Sequence, residues 1–212
     1  MLYEKIEWTQ YRREDANDPS KKRILLIGDS ITNGIREDVY SLLPQGYTQT
    51  AIATSKGVND PCFLPEIDLF CSQDEFRYET VYFNNGLHIH GQSEQEYEEN
   101  LSAALAHLKE KIPGAKFVIG LSTPILIREV SAETHETPIT LAQKNDNKNL
   151  ARKALVPRFN LIAERVAKEF GYPVFDPYTL VVDRPELKVA DGVHFTPEGK
   201  KLIATALMPY LL

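Results

Sequence analysis

Short apolar runs separated by amphipathic stretches limit most tightly what this chain can fold into. Five runs of strand length recur: Arg23–Gly28 (RILLIG), Thr48–Thr54 (TQTAIAT), Glu79–Asn85 (ETVYFNN), Lys116–Ser122 (KFVIGLS) and Tyr172–Pro177 (YPVFDP). Most are continuous rather than strictly alternating, the pattern of strands covered on both faces of a parallel sheet. Helical spacing fills the gaps between them. Leu101, Leu105, Leu108 and Ile112 recur at three-and-four spacing before Pro113-Gly114, and Phe159, Ile162, Val166 and Phe170 do so before Gly171. A last helix opens with Thr196 as N-cap and Pro197 in its first turn, and runs through Leu202, Ile203 and Leu207. The stretch from 128 to 149 is polar and weakly periodic, and reads as a long loop, functional or loosely ordered.

Strands alternating with helices predict an α/β fold with an open, mostly parallel sheet and right-handed crossovers. At 212 residues one domain is expected, spanning 1–212 with 1–20 as an N-terminal extension. Such sheets place their sites at the carboxyl ends of the strands. That rule singles out Asp29 and Ser30, Ser55 to Gly57, Asn84 to His88, Thr123 and Pro124, and Asp176.

Bulk properties narrow the partners. A formal net charge of −6 gives no broad basic face for phosphates, so nucleic acid is not an expected partner. Cys62 and Cys71 are too few for a disulfide framework and lack the companions of a zinc site, so both are expected as buried or half-buried free thiols. The first fifteen residues mix acidic and basic side chains without an apolar core, unlike a secretory signal peptide. No stretch approaches the roughly 18 apolar residues of a membrane span, and a cytoplasmic location is the default expectation.

Two short motifs carry the chemistry. In "ILLIGDSITNG", Ser30 leaves a strand through a Gly-Asp step at a helix start, where its hydroxyl is exposed and its own N–H is available to an oxyanion. A helix cap or a turn is the plain alternative for that serine. The segment lacks the Lys-Ser/Thr of a P-loop and the third glycine of a dinucleotide fingerprint. In "VADGVHFTPEG", Asp191 and His194 sit three apart on a tight turn, where a carboxylate can hold one imidazole nitrogen while the other reaches outward as a general base. A turn-closing aspartate and a half-buried histidine would explain the same spacing.

Together, GDS near the start and DGVH before the final helix, on an alternating α/β chain, resemble the SGNH (GDSL-type) hydrolase superfamily of serine esterases and lipases. The resemblance implies a three-layer α/β/α flavodoxin-like fold with a five-stranded parallel sheet and no metal or organic cofactor. It implies Ser30 as nucleophile, His194 as general base and then acid, Asp191 as the residue orienting the imidazole, and Asp29 in support. The family's oxyanion hole combines the nucleophile's N–H, a glycine N–H after the second strand and an asparagine side chain after the third. Gly57 fits the second position, with Ser55 a weaker choice. The third block departs from the family's Gly-x-Asn-Asp: "YFNNGLHIHG" offers Asn85 first, Asn84 second, and His88 under another alignment. His88 and His90 also pair at a spacing that suits a metal, but without further ligands.

By the same resemblance Asp176 ties down a loop and Asn160 faces packing or a neighbouring loop. The implied reaction is hydrolysis of a carboxylic ester of a small molecule or carbohydrate, with acetyl favoured because the chain has no lid-like apolar helix and the 123–149 stretch is polar. Its rivals are a lysophospholipase or thioesterase for longer chains, a non-catalytic glycan-binding protein of the same fold, and a flavodoxin-type nucleotide-binding module. The last gives no role to Asp191 and His194.

Overall fold

Ile24, Leu25, Leu26 and Ile27 are all fully buried, because β2 (Lys22–Gly28) lies inside a sheet that has helices on both faces. Successive side chains of a strand point to opposite faces. Accordingly Leu25 and Ile27 enter one apolar cluster while Ile24 and Leu26 enter the other. The computed structural model describes residues 6–72, 77–88, 91–127 and 139–212, the last of these with side chains from 149 onward.

The sheet has six strands in the order β1-β3-β2-β4-β5-β6. These are β1 (Thr9–Arg13), β2, β3 (Tyr47–Thr54), β4 (Tyr78–Phe83), β5 (Lys116–Gly120) and β6 (Val174–Phe175). All pair in parallel except β1, which runs antiparallel to β3 at the edge. Five of the strands coincide with the five apolar runs. The sixth corrects the expected count, because the segment read as an extension supplies β1. Its sequence TQYRR alternates between half-buried and exposed residues, so no apolar run announces it. Buried Arg23 helps to fix it: Nη1 donates to the carbonyls of Glu14 (2.9 Å) and Gln49 (3.0 Å), and Nη2 to that of Asp15 (3.1 Å).

Helices α2 (Phe63–Ser72), α3 (Glu94–Lys111) and α4 (Ile139–Phe170) cover one face through Phe63 and Ile67, Leu101, Leu105 and Leu108, and Phe159, Ile162 and Val166. Helices α1 (Ser30–Leu42), α5 (Pro177–Val181) and α6 (Pro197–Leu211) cover the other through Ile35, Val39, Val181, Ile203 and Leu207. This is the three-layer α/β/α architecture. A Ser93–Glu96 capping box starts α3, and Thr196 caps α6 by accepting the Gly199 N–H at 3.3 Å.

Part of the expected long loop is helical, since the backbone of α4 begins at Ile139. Asn145, Asp146, Asn147 and Asn149 are poor helix formers and apolar periodicity is missing, so the sequence does not announce this part of the helix. Arg128 and His135, counted in that polar stretch, lie outside the described residues, as does His90. Cys71 is half-buried and outside any disulfide, but Cys62 is exposed: it stands at the solvent side of the turn into α2, where its N–H is taken by Asp60 (2.8 Å). Among the described residues no helix is long and apolar enough to cross a membrane.

Candidate active site

The strand order reverses at β2, with β3 on one side and β4 on the other. A crevice forms beyond the carboxyl end of such a strand. Ser30 stands there as the first residue of α1. Asp29 caps the helix, its Oδ1 accepting the Ile31 N–H at 2.8 Å. The Ser30 N–H belongs to the first turn and has no intrahelical partner by construction. Gly28 permits the sharp exit, because a Cβ there would lie 2.0 Å from Thr32 Oγ1.

His194 arrives from the far end of the chain because α6 packs on α1. The loop before α6 is closed by backbone bonds: Val189 N–H to the His194 carbonyl (3.0 Å), Thr196 N–H to that of Leu187 (2.8 Å) and Leu126 N–H to that of Gly192 (2.9 Å). At its tip Asp191 Oδ1 accepts the N–H groups of Val193 (2.8 Å) and His194 (2.9 Å). Asp191 Oδ2 lies 2.6 Å from His194 Nδ1, and His194 Nε2 lies 2.8 Å from Ser30 Oγ. A carboxylate only accepts, so Nδ1 carries the proton and Nε2 accepts from the serine hydroxyl. Burial pushes the Asp191 carboxyl up, but the His194 ring and the two backbone N–H groups outweigh it and hold the group below the usual carboxylate value. The three residues singled out in GDS and DGVH are thus joined in one hydrogen-bonded relay, of the kind that activates a serine.

The other expected residues divide by position. Asn85 faces the β3 side: its Nδ2 donates to the Lys56 carbonyl (3.0 Å), its Oδ1 accepts the Val58 N–H (3.2 Å), and its own carbonyl accepts from the Tyr97 hydroxyl. It therefore brackets Gly57, which is buried. Asn84 turns toward β5, donating to the Gly120 carbonyl at 2.8 Å. His88 is half-buried and lines the same depression as Ser30 and His194. Ser55 is spent on the edge strand, donating to Glu7 (2.6 Å) and accepting from the Trp8 N–H (2.9 Å). Asp176 caps α5 through the Thr179 N–H (3.0 Å), and Asn160 brackets the backbone of Ser122 through its N–H (2.8 Å) and carbonyl (2.9 Å). Both act as ties.

Two depressions flank the Ser30–His194 contact. One, of about 430 Å³, is lined by Asn33, Gly34, Val189, Phe195 and Lys200; the other, of about 470 Å³, by Ile6, Trp8, Leu87, His88, Arg152 and Val193. Trp8, Arg152 and, beneath the loop, Lys188 are site residues that the sequence motifs do not reach. Only the alternation around a lone tryptophan, WTQYR, hints at an edge strand that brings one of them in.

Residues 26–202 match the model of the GDSL-like lipase/acylhydrolase family. The chain belongs to this family. Its members are acyl-ester hydrolases, and the relay lies within the matched span. No curated protein sequence matches this GDSL-like chain. Among solved structures it is similar to a carbohydrate acetylesterase from Sinorhizobium meliloti, at 11% identity and TM-score 0.66 over 89% of this chain and 97% of that one. It is also similar to an aryl esterase from M. smegmatis, at 15% identity and TM-score 0.64 over 90% and 100%. A variant of a Geobacillus acetyl-xylooligosaccharide esterase aligns at 15% identity and TM-score 0.60 over 92% and 95%. At these identities the likeness is one of fold.

Proposed function

We propose that this GDSL-family hydrolase cleaves short-chain carboxylic esters, acetyl esters of a carbohydrate or small hydroxylated metabolite above all, through an acyl-enzyme on Ser30. The observation that carries the reading is the continuous relay from Asp191 through His194 to Ser30, at 2.6 and 2.8 Å. Ser30 Oγ attacks the ester carbonyl carbon as its proton passes to His194 Nε2, and Asp191 holds the imidazolium so formed. The tetrahedral oxyanion is held by the N–H groups of Ser30 and Gly57 and by the second amide hydrogen of Asn85. Its collapse breaks the ester C–O bond, and the alcohol leaves with the proton from His194. Water then gives its proton to His194 and its oxygen to the acyl carbon, and the acid departs as Ser30 regains its proton.

The small, mixed depressions support a short acyl group. Asn33 and Lys200 on one side, and His88 and Arg152 on the other, suit a hydroxyl-rich alcohol better than a long alkyl chain. Two of the similar structures are named for acetyl esters of carbohydrates, in agreement with this choice.

The test is turnover of p-nitrophenyl acetate, butyrate and octanoate and of acetylated sugars by the wild type and by Ser30→Ala. The expected result is activity that falls with chain length and drops by about 10³-fold or more in the variant. Rising activity toward octanoate would favour a lipid substrate, and full activity of Ser30→Ala would remove the nucleophile assignment.

A further inference from the structure

Beneath the loop that carries Asp191 and His194 lies a lysine that is almost completely enclosed. Lys188 keeps 4% of its surface exposed, and its Nζ donates to the Val193 carbonyl at 2.6 Å. The same ammonium sits 3.5 Å from the centre of the Phe195 ring. Its backbone pairs with Phe195 in an isolated antiparallel bridge, so the side chain folds back under the turn it opens. Val193 and Phe195 flank His194 in sequence.

The charges around this ammonium link the two halves of the site. Asp191 is the acid of the relay, and Asp29 caps the helix that presents Ser30; both carboxylates act on Lys188 in favour of its charged form. Asp29 is itself buried, with Oδ1 on the Ile31 N–H and Oδ2 without a hydrogen-bond partner among the described residues. Lys153 and Arg184 line the same small cavity as Lys188. Burial dominates, and pushes the Lys188 pKa down to about 7. A methionine would fill the place without that cost.

We propose that Lys188 is a positioning residue for the ester-hydrolysis site: it fixes the Val193 carbonyl and so the His194 ring, and it sets this turn against the Asp29-capped helix that carries Ser30. This assignment rests on the Ser30–His194–Asp191 reading of the site. Lys188 touches no reacting atom. It acts through the orientation of the imidazole, on which the rate depends steeply.

The experiment compares wild type, Lys188→Met, Lys188→Gln and Ser30→Ala at pH 7 on p-nitrophenyl acetate, with melting temperatures measured in parallel. Lys188→Met keeps the packing and removes the donor and the charge. Its kcat is expected to fall about ten- to a hundred-fold with KM within about two-fold, the loss appropriate to one charge-assisted hydrogen bond. Its melting temperature is expected to match or exceed that of the wild type, because a costly buried cation has gone. Lys188→Gln, which restores a neutral donor, is expected to recover part of the rate. A Lys188→Met enzyme of full kcat beside an inactive Ser30→Ala overturns the Lys188 assignment alone. Parallel loss of kcat and melting temperature in both Lys188 variants reduces the residue to structural support and also overturns it. Full activity of Ser30→Ala overturns the reading of the site, and the assignment with it.

Discussion

Asn85 grips the backbone on both sides of Gly57, donating to the Lys56 carbonyl at 3.0 Å and accepting from the Val58 N–H at 3.2 Å. One clasp therefore fixes two candidate oxyanion donors relative to each other, and the Tyr97 hydroxyl on the Asn85 carbonyl fixes the clasp. Preorganised donors of this kind need no reorganisation as charge develops.

Replacement of that side chain separates it from its neighbour. Asn85→Ala is expected to lower kcat about 10²- to 10³-fold with a small change in KM. Asn84→Ala removes only the tie to Gly120 across to β5. It is expected to cost about 1–3 kcal/mol of stability through an unsatisfied buried carbonyl while keeping most of the activity. Steady-state kinetics and thermal melts of the two variants decide the matter; the reverse pattern would move the oxyanion role to Asn84.

The edge strand makes a second, independent prediction. Trp8 is the chain's only tryptophan and lines the depression beside Ser30 and His194. Its backbone is pinned at the end of β3, its N–H on Ser55 Oγ (2.9 Å) and its carbonyl accepting from the Ser55 N–H (3.1 Å) and the Thr54 hydroxyl (3.1 Å). Trp8→Ala is expected to raise KM for acetyl esters of ring-shaped alcohols about three- to ten-fold and to leave ethyl acetate unaffected. Titration of Ser30→Ala with an acetylated sugar should change the tryptophan emission. Equal effects on ring and ethyl esters would show that Trp8 serves stability alone.

What the sequence made legible follows burial. Ile24 to Ile27 face apolar layers on both sides, so a continuous run marks the strand, and a GDS step at its end marks the crevice. Asp191 and His194 are legible because their relation is local, three residues apart on one turn. Thr9 to Arg13 is not, since an edge strand with half-covered faces needs no apolar run; Tyr11 stacks at 4.6 Å on Phe70 of α2, a contact made across the fold. Lys188 is hidden for a related reason. A lysine in a loop reads as solvated, and only the folded turn places its ammonium under Val193 and Phe195. The choice between Asn84 and Asn85 depends on which way each leaves β4, a matter of long-range pairing.

Burial of Lys188 also sets a pH dependence of stability. Its folded pKa is about 7 against an ordinary 10.5, so between these values the unfolded chain holds a proton that the folded chain does not. Stability contributed by this residue therefore rises with pH across that window, and below pH 7 the full cost of the buried charge is present. Lys188→Met does not titrate. The melting temperature of the variant minus that of the wild type is expected to be largest near pH 6.5 and to shrink by pH 9.5. A constant difference across the range would mean that the ammonium is not desolvated in the folded state.

Gly192 supplies the sharpest test of how the turn holds Asp191. Its φ of +72° lies in the left-handed region, and a Cβ there would stand 1.9 Å from the Leu126 carbonyl oxygen. Backbone cannot move aside as a flexible side chain can, so Gly192→Ala must shift the turn off Leu126 and take Asp191 with it. The left-handed conformation alone costs about 1–2 kcal/mol. A displacement of about 1 Å at the His194 support is expected to lower kcat about 10²-fold. Gly46→Ala is the matched control: its φ is +89° and a Cβ there meets nothing within 4 Å, so it carries the strain without the clash. Both variants should melt a few degrees below the wild type. Only Gly192→Ala should lose activity, and equal kcat in the two would mean that the Asp191 turn is held by its own hydrogen bonds to Val193 and His194 rather than by its seat against Leu126.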